Sequence, residues 1–206
     1  RDHYLDTDVR LASIAFYVDV NERTELSFGA RYTEEEKRGY SKIPYIHAAA
    51  AAFGFGAPPL IEGLEFEDDN LSPEVAINYY INEDTSIYVA YKKAFKSGGI
   101  DNSALPTASI NPLSPTFEGF DALIYDSEEV DGFEIGLKSN LLDNNMRLNA
   151  TYYKYEYTNL QVQLFDAAII QFSTFNAGAV ETEGFEADLL WYTEIPGLSW
   201  RGQFAW

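Results

Sequence analysis

The chain lacks cysteine and has few basic residues: 14 Lys and Arg, with two His and one Met, among 206 residues. Without cysteine, neither a disulfide framework nor a thiolate metal site can form. The basic residues are outnumbered by 33 Asp and Glu, which gives a formal net charge of −19. Because nucleic-acid binding requires a basic surface that neutralises phosphates, this composition predicts no nucleic-acid partner.

Long apolar runs are also missing, since no stretch approaches the roughly 18–20 apolar residues that a transmembrane helix needs. Aromatic residues are plentiful instead: 15 Tyr, 14 Phe and 3 Trp make up 16% of the sequence. Tyr and Trp combine an apolar body with a polar tip, which suits a membrane–water interface.

Apolar and polar residues alternate along eight segments, and a period of two is typical of β-strands. Several segments exceed the roughly 5–6 residues of a soluble strand and reach the roughly 9–11 of a tilted membrane strand. A soluble β-sandwich also alternates, so the pattern alone leaves open which face is wet. The eight predicted strands are about Val9–Val20, Thr24–Thr33, Ser72–Ile81, Thr85–Lys96, Glu129–Ser139, Asn145–Thr158, Val180–Tyr192 and Leu198–Trp206.

The connections between these segments alternate between short and long. Short turns are predicted at Asn21–Arg23, Asn82–Asp84, Leu141–Asn144 and Thr193–Gly197. Long loops are predicted at Glu34–Leu71, where the alanine run Ala48–Ala52 would form a short helical turn, and at Ser97–Glu128 and Asn159–Ala179. This asymmetry is typical of a transmembrane β-barrel with short periplasmic turns and long extracellular loops. Loops of this length are uncommon in compact soluble domains.

Candidate functional residues fall into two groups, and neither points to chemistry. His3 and His47 lie far apart without a triad or ligand context, so we predict no catalytic residue and no metal site. Charged residues on the polar strand faces would line a barrel lumen, mainly as a wall-stabilising ladder: Arg31, Glu134, Lys138, Arg147, Glu186, Asp188 and Arg201. Loop aromatics would contact a ligand or pack among themselves: Tyr40, Tyr45, Phe53, Phe55, Phe117, Phe120, Tyr125, Phe165, Phe172 and Phe175.

Several short phrases occur in an order that resembles one family. Gly29-Ala30-Arg31-Tyr32-Thr33 is similar to the strand-end phrase of TonB-dependent transporters. Glu134–Ser139, followed by Arg147–Tyr153 and then Asn159–Val162, is the best match, and Asn176–Glu186 continues it. The phrases together cover most of the chain outside the long loops.

The resemblance implies an all-β, antiparallel, up-and-down outer-membrane barrel, of which about eight strands are present. Family barrels have about 22 strands around a plug domain, so residues 1–206 are expected to be a partial barrel domain without the plug. The implied function is active uptake of a scarce nutrient, most often an iron–siderophore chelate, without enzyme activity or a cofactor. The implied partners are outer-membrane lipid and lipopolysaccharide, the nutrient, and the TonB complex acting through the plug.

Two alternatives remain open at this point. Eight strands suffice to close a small barrel, so a passive porin or an eight-stranded barrel would fit the same alternation. A secreted β-sandwich that serves in binding or adhesion would instead turn Phe133, Ile135 and Leu137 inward.

Overall fold

The computed structural model describes residues 2–42, 48, 60–101, 119–166 and 171–206. Apart from turns and one 3-10 turn at Asp121–Leu123, these residues are mostly β-strand. The strands are β1 (Asp2–Asn21), β2 (Thr24–Lys42), β3 (Leu60–Asn82), β4 (Thr85–Lys96), β5 (Gly99–Ile100), β6 (Ile124–Tyr125), β7 (Glu128–Leu141), β8 (Met146–Thr158), β9 (Gln161–Asp166), β10 (Gln171–Asn176), β11 (Val180–Tyr192) and β12 (Ser199–Ala205).

Eight of these strands form one antiparallel sheet in the order β1-β2-β3-β4-β7-β8-β11-β12. Each main strand pairs with its neighbours along the chain, which confirms the predicted up-and-down topology. The small hairpins β5–β6 and β9–β10 are inserted in two of the connections. Because β1 and β12 lie at opposite ends of the sheet order, the structure is not the closed eight-stranded barrel of the first alternative.

The predicted loop Glu34–Leu71 is wrong in its bounds. β2 continues to Lys42 and β3 begins at Leu60, so the two strands form a long hairpin beyond the predicted strand ends. Glu36 pairs with Glu67 and Arg38 with Glu65 in this extension. Polar residues on both faces remove the alternation on which the sequence prediction depends, whereas the backbone ladder continues regardless of side chain.

The start of the first strand and the other two predicted long loops also differ from the structure. β1 begins at Asp2, seven residues before the predicted start at Val9. The predicted loops Ser97–Glu128 and Asn159–Ala179 contain β5–β6 and β9–β10, which are too short or too polar to give a clear period of two. Of the predicted helical turn at 48–52, all but Ala48 lies outside the described residues.

The sheet has one apolar and one polar face. Strand register aligns apolar residues into rows across it, and one row runs Val18, Leu26, Ile77, Val89, Ile135, Tyr152 and Phe185. Ile77, Val89 and Ile135 are 50%, 50% and 48% exposed. Within the described part of the chain no second sheet covers this face, which contradicts the β-sandwich alternative.

Apart from Ala90 within β4, the buried apolar side chains of the described residues lie at the loop end of the sheet. Ile61, Leu64, Ile100 and Leu123 form a buried cluster, which we call the loop cluster. Phe66 and Phe120 pack against it. No helix among the described residues is long and apolar enough to cross a membrane.

Candidate functional site

All seven residues predicted to line a lumen lie on the polar face of the sheet. Register aligns Lys138 with Asn149 and Asp188, and it places Arg147 and Arg201 on either side of Leu190. Arg31, Glu134 and Glu186 complete the set on the same face. They share one face because successive side chains of a regular strand point to opposite sides, and a lumen on that side stays a prediction.

The polar face is held by hydrogen bonds more than by a charge ladder. Asn149 donates from Nδ2 to both carboxylate oxygens of Asp188, at 3.1 and 3.2 Å. Glu134 forms an ion pair with Lys92 at 3.1 Å and also accepts a short hydrogen bond from the Tyr155 hydroxyl. Lys92 and Tyr155 were missed by the sequence analysis, although their positions on the polar face could have identified them.

Three tyrosines lie flat across glycines of the neighbouring strand on this face. The pairs are Tyr88 with Gly136, Tyr155 with Gly132, and Tyr153 with Gly184. A Cβ atom at Gly136 would stand 2.1 Å from the Tyr88 ring. Glycine therefore provides the space for each ring, and the rings supply the side-chain packing that glycine lacks.

The loop end of the polar face carries a second, more buried arrangement. The Lys37 ammonium lies 3.1 Å from Glu35, and both side chains are about 15% exposed or less. Lys37 also donates to the Ser97 hydroxyl at 3.1 Å and lies 5.7 Å over the Phe66 ring. Lys37 and Arg31 point to the same, polar side of β2. Because Lys37 contacts Ser97 on that side, the segment around Ser97 lies over the polar face.

A hydrogen-bond network fastens that segment further. The Ser127 hydroxyl contacts the Asp68 carboxylate and accepts a hydrogen bond from the Gly98 amide at 2.7 Å. A Cβ atom at Gly98 would lie 2.6 Å from Phe66, so only glycine permits this approach. The loop is thus attached to the wall by side chains that are 59 or more residues apart in sequence.

The predicted ligand-contact residues Phe120 and Tyr125 lie in this loop region. Phe120 packs on the loop cluster, and Tyr125 pairs with Gly99 in the hairpin β5–β6. Burial raises the pKa of Tyr125, with further contributions from the nearby carboxylates of Asp101 and Glu35. The phenol is therefore neutral at physiological pH.

The hairpin β9–β10 is fixed at its base by amide side chains. Gln161 donates to the carbonyl oxygens of Ser97 and Asp126, at 3.0 and 3.2 Å. Asn176 donates to the Asp126 carbonyl at 2.8 Å and accepts from the Asp126 amide at 2.7 Å. Thr174 donates from its amide to Asp101 at 2.7 Å. These contacts hold the hairpin against the loop that covers the polar face.

The free part of this hairpin presents aromatic side chains to solvent. Phe165 and Phe172 are register partners with ring centroids 5.3 Å apart, and they are 52% and 53% exposed. Phe175 lies on the opposite face of the same hairpin.

Tyr40, another predicted ligand contact, lies within β2, stacked on Tyr4 on the side of the apolar face. The remaining predicted contacts, Tyr45, Phe53, Phe55 and Phe117, lie outside the described residues.

Tyrosines mark the upper limit of the apolar face, where the strands continue into the loops. The hydroxyl of Tyr91 donates to Asp131 at 3.2 Å, and that of Tyr152 donates to Glu183 at 2.9 Å. Tyr32 makes the equivalent contact with Asp69 at 3.4 Å. Each ring thus borders the apolar face on one side, and its hydroxyl is hydrogen-bonded to a carboxylate on the side of the loops. This arrangement is expected of an aromatic girdle at a membrane interface.

The described residues contain no group of three or more His, Asp or Glu side chains arranged to hold a metal ion. His3 lies in β1, and His47 is outside the described part of the chain. The arrangement is a wall with a polar inner face, an apolar outer face and fastened loops at one end. These features define a transmembrane β-barrel wall.

Comparison with known proteins identifies the family. The model of the TonB-dependent receptor-like β-barrel matches residues 3–206, so the chain belongs to the β-barrel family of TonB-dependent receptors. Members of this family are outer-membrane transporters and not enzymes. In such a barrel the apolar face of this sheet would face lipid and the polar face the lumen, so we name them the lipid face and the lumen face.

Individual relatives agree with this assignment. A probable TonB-dependent siderophore receptor, PiuA of Acinetobacter baumannii, is 29% identical over 121 residues, which are 59% of this chain and 15% of that protein. The ferric yersiniabactin uptake receptor FyuA of Yersinia pestis superposes with a TM-score of 0.71 at 18% identity, covering 98% of this chain and 27% of that one. The copper transporter OprC gives 0.68 at 16% identity, covering 97% and 29%. The chain thus spans only 15% of the length of PiuA and 27% of that of FyuA.

Proposed function

We propose that this chain is a wall and loop segment of an outer-membrane transporter that takes up an iron–siderophore chelate. Residues 1–206 would contribute about eight strands of a larger barrel, with the plug supplied by another part of the receptor. TonB would act through that plug, and lipopolysaccharide would contact the outer leaflet side of the barrel.

The observation that supports ligand binding most directly is the fastened aromatic hairpin. Phe165 and Phe172 are exposed on a hairpin that Gln161 and Asn176 hold in place. A rigid aromatic pair loses little conformational entropy when a planar ligand stacks on it. Aryl or chelate-ring surfaces of a siderophore have that planar shape.

The proposal of a siderophore cargo rests on the names of relatives as well as on these rings. PiuA is named as a probable siderophore receptor and FyuA as a ferric yersiniabactin uptake receptor, whereas OprC is named as a copper transporter. The sequence similarity to PiuA favours the siderophore, because the likeness to OprC is at 16% identity and concerns the fold alone.

Uptake by the full-length receptor tests the proposal. Cells that express it as their sole iron receptor are given radiolabelled ferric complexes of a catecholate and a hydroxamate chelator. We expect accumulation of at least one complex, and we expect it to disappear in a strain without TonB. Uptake that persists without TonB would support the passive porin, and uptake of neither complex would contradict the siderophore cargo.

Substitution of the aromatic pair tests the site. Phe165→Ala with Phe172→Ala is expected to weaken binding of the transported complex about tenfold or more, since buried aromatic anchors contribute about 2 kcal/mol. The matched control is Tyr4→Ala with Tyr40→Ala, a stacked aromatic pair on the outer side of the wall. Equal losses from both pairs would indicate a general structural effect and would rule out the hairpin as the contact.

A further inference from the structure

An open apolar groove lies on the lipid face between the turn that joins β7 to β8 and the turn that joins β11 to β12. Its volume is about 1140 Å³. Its apolar lining comes from both turns and from the strand ends beside them: Leu142, Met146, Trp191, Ile195, Leu198 and Trp200. Leu142, Ile195 and Leu198 are 58%, 61% and 51% exposed, although all three lie in or beside turns.

The other two short turns are built differently. In the turn between β1 and β2, Arg23 donates its amide to the Asn21 side chain at 2.9 Å. Asp84 makes the same contact with Asn82 between β3 and β4, also at 2.9 Å. Charged residues, Glu22 and Glu83, occupy the exposed positions of these turns. The apolar turns are therefore confined to the β7–β12 part of the wall.

The backbone at Leu142 supports a role for its side chain. Leu142 has a φ of 55°, and Asp143 and Asn144 continue in the left-handed region at 53° and 66°. This conformation is easily adopted by glycine and asparagine but is unfavourable for leucine. In water, Leu142 would carry both the cost of a strained backbone and the cost of an exposed apolar side chain. Contact between this side chain and lipid removes the second cost and so helps to offset the first.

The groove is continuous with the lipid face. Met146, Trp191 and Trp200 form the row directly below Leu148 and Leu189. From Tyr152 of the girdle to Met146 the strand advances six residues, or about 20 Å at about 3.3 Å per residue. A tilted strand covers less height than this, and the apolar band of an outer-membrane barrel is about 25 Å tall. The groove therefore lies at the depth of the inner leaflet.

The charges beside the groove select the headgroup. Asp143 and Glu194 are the lining residues that carry a charge at neutral pH, and both are acidic. The nearby Arg147 and Arg201 belong to the opposite, lumen face. An anionic phospholipid would be repelled here, whereas an ammonium headgroup would be attracted.

We propose that this groove is a binding site for an inner-leaflet phospholipid with an ammonium headgroup, of the phosphatidylethanolamine type. The acyl chains would lie against Met146, Trp191 and Trp200. The ammonium would lie near Asp143 and Glu194. This proposal depends on the membrane position of the wall and not on the cargo of the transporter.

Native mass spectrometry of the full-length receptor tests it. The detergent-purified, delipidated protein is titrated with phosphatidylethanolamine or phosphatidylglycerol of the same acyl chains. We expect wild type to bind at least one more phosphatidylethanolamine molecule than Leu142→Ser with Ile195→Ser and Leu198→Ser. We also expect phosphatidylethanolamine to bind several-fold more tightly than phosphatidylglycerol. Equal lipid counts in wild type and variant, or equal affinity of wild type for both lipids, would overturn the proposal.

A second variant avoids any change to the apolar surface, so that folding is not in question. Asp143→Asn with Glu194→Gln is expected to abolish the preference between the two lipids. The matched control, Glu22→Gln with Glu83→Gln, removes two charges from the polar turns and should leave the preference unchanged. If the control alters the preference as much as the groove variant does, the headgroup is not selected at this groove.

Discussion

The strand wall and the loop cluster differ in how their apolar side chains are removed from water. Side chains of the wall such as Ile77 and Val89 are about half exposed, so the protein itself does not bury them. Leu64 and Ile100 of the loop cluster are only 3% and 6% exposed. The wall thus requires lipid outside and the rest of the barrel around it, whereas the loop cluster has a small core of its own.

This difference explains how polar extracellular loops can be held in fixed positions. The wall satisfies its backbone groups within the sheet, which is what a membrane requires. Above the membrane, water competes for the same groups, and buried apolar contacts become necessary. The loop cluster supplies them, and the Lys37–Glu35 pair and the contact between Ser127 and Asp68 add specific attachment to the wall.

The largest effect is expected from a truncation in the loop cluster. Leu64→Ala should destabilise the folded loop by about 2–5 kcal/mol, because the side chain is only 3% exposed. Hydrogen exchange at the Asp101 amide, which bonds to the Leu123 carbonyl at 2.6 Å, measures the opening. Leu71→Ala lies on the lipid face of the same strand and should leave this amide unchanged. Equal exchange in both variants would show that the cluster is not an independent core.

A charge on the lipid face should have the next largest effect. Leu137→Arg is expected to reduce the stability of the membrane-inserted receptor by about 2–4 kcal/mol, because it places a cation near the middle of the apolar band, two residues below the row of Tyr152. Unfolding by guanidinium chloride in lipid vesicles measures the loss. Asn78→Arg, one row away on the lumen face and beside Glu25, is the control and should cost less. A larger loss from Asn78→Arg would reverse the assignment of the two faces.

A smaller effect is expected where tyrosine covers glycine. Gly136→Ala should destabilise the wall by about 1–3 kcal/mol, because the new Cβ would stand 2.1 Å from the Tyr88 ring. The same unfolding assay applies. Adding Tyr88→Ala should recover part of the loss, and Gly178→Ala, with open space around it, is the control. Full additivity of the two substitutions would mean that the ring does not limit the space at Gly136.

The smallest effect is expected at an exposed ion pair. Lys93 lies 2.8 Å from Glu129, and the two side chains are 33% and 40% exposed. Lys93→Gln should change stability by about 1 kcal/mol or less, because solvent screens the pair and its ordering opposes the attraction. Lys37→Gln, which removes one partner of a more buried ion pair, should lower the stability by more. If Lys93→Gln costs as much as Lys37→Gln, burial does not distinguish the two pairs.

The strand faces were predictable from sequence, and the loop region was not. Alternation placed Arg31, Glu134 and Asp188 on one face, because side chains of a regular strand point in alternate directions. Alternation could not predict that β2 continues beyond Thr33, since Glu34 and Glu35 point to opposite faces and carry the same charge. Nor could it show that Phe120 packs on the loop cluster while Phe165 is exposed, because both belong to irregular or short polar segments.

The sequence by itself determined the strands and indicated the class of protein. Its alternation of apolar and polar residues, its short turns and its aromatic content favour an up-and-down barrel wall, since period and spacing are local properties. The sheet order then excluded the β-sandwich and the closed eight-stranded barrel. Only the tertiary structure decided which loop residues are fixed to the wall and which face solvent. Lys37 and Ser97, or Asp68 and Ser127, are 60 and 59 residues apart. Contacts over that distance depend on strand register and on the path of the loops, and no local pattern encodes them.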